Sequence, residues 1–187
     1  MSATVSDTRP PGFLREIGLP RVGAVAGLVV LAVAVQSTIL AQVTLLGVIP
    51  QLVLVVVVSL AYLDGERVGV ATGFAGGLLQ DLLVRGSIAG LYALVYLLIG
   101  YGVGVFRQYA TSDSVWTPVF TVALASIVAE LGYAGLSIIL GQPWVGLGFT
   151  AKVAALVVLY NTLLTPFAFP LVRRVAQRFR PEKVHRW

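Results

Sequence analysis

The chain has no cysteine, one histidine and one methionine, and only 11% of its 187 residues are charged. Without cysteine there are no disulfides, thiolate metal sites or cysteine nucleophiles. The single histidine, His185, lies in the C-terminal tail. A histidine metal cluster, a zinc-protease helix and a serine triad are therefore excluded. No acid-rich metal motif of the kind a lipid-processing membrane enzyme needs is present, and no glycine-rich loop follows a strand to cradle phosphate. The chain reads as non-enzymatic, with no resident cofactor or metal. Strand-type alternation is also missing, which argues against a transmembrane barrel.

What fills the chain instead is hydrocarbon. Apolar residues make up 58% of it and the mean hydropathy is +0.92, whereas a soluble domain is nearer half apolar and about a quarter charged. A bilayer core about 30 Å thick takes roughly 20 apolar residues per helical crossing, so this length holds about six crossings and no extramembrane domain. The expected fold is all-α, a polytopic membrane bundle of about six helices. A tail over 1–21, a transmembrane domain over 22–172 and a basic tail over 173–187 make up the expected organisation.

Apolar runs place the spans at 22–41, 51–63, 68–84, 88–106, 115–140 and 149–172. Pro50 suits the first turn of span two, where its missing N–H costs nothing. Thirteen residues reach only about 20 Å, however. Span two must borrow residues 43–49, thin the bilayer, or form half of a re-entrant hairpin.

Basic residues set the orientation. Arg9, Arg15, Arg21, Arg67, Arg107, Arg173, Arg174, Arg178, Arg180, Lys183 and Arg186 fall on one side, and only Arg85 and Lys152 on the other. This bias predicts an inner-membrane protein with both termini cytoplasmic. It also explains the net charge of +5 without nucleic acid, since the charge collects beside apolar spans. Ala32-Val33-Ala34 resembles a signal cleavage site, but the long proline-containing tail before it and the length of the apolar run argue against cleavage. Trp116, Trp144, Tyr62, Tyr101 and Tyr109 fall near span ends, as interfacial aromatics do.

Span three carries the densest pattern. Gly65, Gly69, Gly73 and Gly77 recur every fourth residue, and Asp81 and Arg85 continue the interval. Four residues advance a helix by about 400°, so these positions form one slowly drifting stripe. Small residues on such a stripe permit close backbone approach, either to a neighbouring helix of the bundle or to a partner's helix. An acid in hydrocarbon must face the bundle, meet a partner or stay protonated. Asp81 has Arg85 one turn on. Glu130 lies at a similar depth in span five, and Lys152 opens span six on the same side. Asp81, Arg85, Glu130 and Lys152 are thus an expected polar cluster, locking helices, handling a ligand or proton, or contacting a partner. An acid dyad of Asp81 and Glu130 is disfavoured as a catalytic pair, because basic groups at the same level oppose proton sharing. Gln36, Gln80, Asn161, Thr162 and Thr165 read as interhelical hydrogen-bonding groups, and Pro166 with Pro170 as bends in span six.

A Gln in span one, a Pro opening span two, the run Gly73-Phe74-Ala75-Gly76-Gly77-Leu78-Leu79-Gln80-Asp81, Gly86 and a glycine-rich span four together resemble the rod shape-determining protein MreD family. The resemblance covers residues 20–175, and Gly-Phe-x-x-Gly-Leu-x-x-Asp is its specific part. It implies a non-enzymatic scaffold of the bacterial cell-elongation machinery for peptidoglycan synthesis. The partners it implies are MreC, the MreB filament and a RodA and class B penicillin-binding protein pair, besides membrane lipids. That family is similar in fold to the substrate-binding membrane components of energy-coupling-factor vitamin transporters, so the alternative is a small-molecule uptake component in which the outer polar cluster with Trp144 binds a vitamin. The alternative requires a cavity of a few hundred cubic ångströms with aromatic and polar walls. A scaffold is expected to fill that space with its own side chains.

Overall fold

A computed structural model describes residues 19–42, 44, 46–84, 88–109, 116–142 and 146–179. The tails carrying Arg9, Arg15, Arg180, Lys183, His185 and Arg186, and the turns carrying Arg85 and Trp144, lie outside the described residues. All regular structure described is helical: α1 (Leu19–Val35), α2 (Leu52–Asp64), α3 (Glu66–Leu83), α4 (Leu91–Phe106), α5 (Trp116–Ile139) and α6 (Leu147–Arg178). Three of these are long and apolar enough to cross a membrane by length and hydropathy alone: α1 with its extension to Leu40, α5 and α6. Two shorter apolar helices are α2 and α4. The remaining helix, α3, includes Glu66, Arg67 and Asp81.

Helices alternate in direction. The α2–α3 turn, the α4–α5 turn, the start of α1 and the end of α6 therefore share one end of the bundle, here the basic end. Gly65 alone joins α2 to α3, at φ +92°, in the left-handed region that glycine occupies at least cost. At this end Arg21 of α1 pairs with Asp64 of α2 at 2.5 Å. The last helix runs on past Val172 to Arg178, carrying Arg173 and Arg174 with it. The basic C-terminal segment thus begins as helix rather than as tail, and Pro166 and Pro170 lie within one continuous element.

The valine-rich α2 is the centre of the bundle. Every residue from Val53 to Ala61 is buried, and α1, α3, α4, α5 and α6 all pack against it. A helix apolar on all faces has no solvent or lipid side to present, and central burial is its stable placement. By contrast, Phe120, Leu124 and Leu131 of α5 and Leu163, Phe167 and Leu171 of α6 point outward. Such residues suit hydrocarbon.

Span two's shortness is resolved by what precedes it. The chain leaves α1 through a π-helical turn, Gln36–Leu40, then returns through residues 41–51. Its described residues, 41, 42, 44 and 46–51, are non-helical, with left-handed backbone at Leu46 and Gly47 and with Val48 buried against Val157 and Tyr160. A helix that starts inside an apolar bundle exposes N–H groups that water cannot reach. Gln51, the residue before the first turn of α2, supplies no side-chain cap. Gln36 Oε1 accepts from the Val53 N–H at 2.9 Å, and Asn161 Oδ1 of α6 accepts from the Gln51 N–H at 2.9 Å. Asn161 in turn donates through Nδ2 to Ser126 Oγ of α5 at 2.9 Å and is fully buried.

Asn161→Leu leaves the Gln51 N–H and Ser126 without these partners in a dry interior, a loss of about 2 kcal/mol. The expected result is faster amide exchange at Gln51 than in the parent protein, with the basic end of α2 unchanged. Unaltered exchange at Gln51 contradicts the capping role.

Candidate functional site

Two constructions stand out in the bundle: a close-packed helix seam that runs from the basic end, and a cavity at the opposite end. The seam is formed by α3 and α4. A Cβ at Gly69 would meet the Gly100 backbone, one at Gly73 the Tyr96 backbone, and one at Gly77 the backbone of Tyr92 and Ala93. Reciprocally, a Cβ at Gly100 would meet Gly69, and one at Gly104 would meet Glu66 and Gly65. The two helices touch backbone to backbone over three turns, the contact that small residues at every fourth position allow. The stripe on α3 is thereby taken up inside the bundle. Gly65, its first member, instead serves the turn into α3. No partner helix can use the stripe without displacing α4.

Asp81 closes the seam. Its Oδ2 accepts from the N–H groups of Gly90 at 3.0 Å and Ala93 at 3.0 Å, and its Oδ1 from that of Tyr92 at 3.1 Å. The carboxylate thus caps α4 from a neighbouring helix, in place of a side chain at Gly90, which offers none. An acid is favoured there because it satisfies orphan donors and faces the positive end of the helix dipole.

Three members of the expected cluster lie among the described residues. Asp81 belongs to the α4 cap and is buried, Glu130 belongs to the cavity, and Lys152 is exposed on α6. Arg85 lies outside the described residues.

The cavity has a volume of about 700 Å³ and is bounded by the end of α1, the irregular return, and parts of α3, α4, α5 and α6. Its polar lining includes Gln36, Gln51, Gln80, Tyr92, Glu130 and Tyr133, and its apolar lining includes Val48, Leu83, Phe149 and Val153. Glu130 Oε1 accepts from Gln51 Nε2 at 2.6 Å, and Gln51 Oε1 accepts from the Tyr96 hydroxyl at 3.4 Å. The Tyr92 and Tyr133 rings stack beside them, centroids 4.4 Å apart. Volume and lining match what a small-molecule site requires.

Sequence reasoning singled out Glu130 but missed Gln51 and the tyrosine pair. The available signal was a polar residue directly after Pro50 at the head of an otherwise apolar helix. Among the described residues no group of three or more His, Cys, Asp or Glu side chains is placed to hold a metal.

No solved structure matches the chain. The family model described as rod shape-determining protein MreD matches residues 22–175, which covers α2 to α5 whole and most of α1 and α6. The chain belongs to the MreD family of rod shape-determining membrane proteins.

Proposed function

We propose that this chain is a non-enzymatic membrane scaffold of the bacterial cell-elongation machinery, holding partner membrane helices near the site of peptidoglycan synthesis. The carrying observation is the rod-shape family match over residues 22–175, in a chain whose described helices include three long and apolar enough to cross a membrane and two shorter apolar ones. MreC is the partner that the family suggests first, with MreB and a RodA and class B penicillin-binding protein pair beyond it. The basic end is assigned to the cytoplasm, with both termini there, because Arg21, Arg67, Arg107, Arg173, Arg174 and Arg178 gather at it. Since α4 covers the glycine stripe of α3, partner contact falls to the outward faces of α1, α5 and α6. The seam and the caps of α2 and α4 keep those faces in fixed relation.

Isolation of the tagged protein from its native membrane in mild detergent is expected to bring MreC with it. Recovery of an ATPase module or a bound vitamin in place of MreC overturns the scaffold.

One observation favours a second reading. A scaffold was expected to fill the space opposite the basic end with its own side chains, and the cavity lined by Glu130, Gln51 and the tyrosines leaves it open. Small-molecule binding is the property of the uptake-component alternative that this feature supports, and it can coexist with a scaffold.

A further inference from the structure

The scaffold reading gives the cavity no task, yet its lining is chemically asymmetric. Among the described residues that line it, Glu130 is the only carboxylate and none is Lys, Arg or His. Among the described residues Glu130 receives one hydrogen bond, from Gln51 to Oε1, which leaves Oε2 without a donor. Gln51 is oriented by its neighbours. Its backbone N–H is held by Asn161 and its side-chain oxygen by Tyr96.

A carboxylate with a single neutral donor, in an apolar bundle, is poorly compensated, and a cation is the group that completes it. The stacked pair of Tyr92 and Tyr133 adds aromatic surface on the same wall, where a cation gains further from the ring quadrupoles. Across the cavity, Val48, Leu83, Val84, Phe149 and Val153 offer an apolar wall suited to a hydrocarbon chain. A donor-bearing cation fits this arrangement better than a quaternary one. Oε2 needs a proton donor, and the side chains of Ser137 and Gln142 provide further oxygens along the lining.

We infer that the cavity binds a primary ammonium group, with Glu130 as its counter-ion and Tyr92 and Tyr133 flanking it. The ammonium comes either from a phospholipid headgroup of the ethanolamine type or from a free alkylamine. In both cases the acid, the aromatic pair and the oriented Gln51 supply the recognition. The inference does not depend on the scaffold reading, because binding is measured on the protein isolated alone.

The test is native mass spectrometry of the full chain, delipidated in detergent and titrated with phosphatidylethanolamine, phosphatidylcholine or ethanolamine. The expected result is one bound equivalent of phosphatidylethanolamine, with phosphatidylcholine at least tenfold weaker because its headgroup has no N–H. Glu130→Gln is expected to weaken binding tenfold or more while thermal unfolding shows the bundle intact. Ala134→Phe, which fills the cavity without altering the acid, is expected to abolish it as well, so the result does not hang on one variant. Ethanolamine displacing the lipid identifies the amine itself as sufficient, and lipid binding that ethanolamine leaves untouched identifies the headgroup with its chains. Equal binding of phosphatidylcholine, undiminished binding by Glu130→Gln, or no binding of either amine overturns the inference.

Discussion

Gly73→Val is expected to prevent the bundle from assembling in its native form. The Cβ it introduces would meet the carbonyl group of Tyr96 and the amide nitrogen of Leu97, backbone atoms that no rotamer change can move. The helices α3 and α4 would have to separate, and with them the contacts each makes with α2. Overpacking a well-filled interior costs about 1–3 kcal/mol. Here the obstacle is a helix backbone, so a loss of about 3 kcal/mol or more is expected. It should appear as a large drop in monodisperse protein on size exclusion and early unfolding in a detergent–denaturant titration. Gly102→Ala is the matched control, since a Cβ at Gly102 meets nothing within 4 Å. Equal behaviour of the two variants would falsify the backbone contact as the basis of the seam.

Asp81→Leu is expected to be nearly as damaging, for a different reason. Three backbone N–H groups, of Gly90, Tyr92 and Ala93, lose their acceptor at once. A buried unsatisfied donor costs about 1–3 kcal/mol, and hydrocarbon offers no replacement partner. Asp81→Asn keeps one acceptor oxygen but sets an NH₂ against a helix N-terminus, so about 2 kcal/mol of loss is expected from it. The order parent, Asn, Leu should therefore hold in unfolding midpoint. Amide exchange at Tyr92 and Ala93 should rise in the same order, while the basic end of α4 stays protected. Exchange at these two amides that is insensitive to either substitution contradicts the cap.

Both expected effects concern residues that the sequence singled out, but for reasons that only packing supplies. The periodic glycines of α3 were legible because a four-residue interval holds to one side of a helix. Their partner was not, because α4 contributes ordinary residues as well as Gly100 and Gly104, with Tyr96 and Ala93 meeting the seam through their backbones. Asp81 was legible as an acid needing compensation. Charge spacing directed attention to Arg85, whereas the described partners are peptide N–H groups nine to twelve residues onward.

A single rule would have served better. Both α2 and α4 begin without a capping side chain of their own, in surroundings where uncapped N–H groups are costly. Each must borrow an acceptor from another helix, and Gln36, Asn161 and Asp81 are the polar side chains that supply it. Helix extents followed closely from apolar runs and basic flanks. The π-helical turn, the non-helical return and the cavity did not, since each depends on where α6 and α5 come to lie.

The head of α2 also fixes an order of birth for the molecule. Its central helix is held at one end by Gln36, made before it, and by Asn161, separated from Gln51 by 110 positions. At about 5–20 residues per second, the second acceptor arrives roughly 5 to 20 s after the donor it serves. During that interval a thirteen-residue helix, too short to cross a bilayer unaided, has to wait with its leading amide unpaired. The head of α2 thus gains its second acceptor only once α6 has been made.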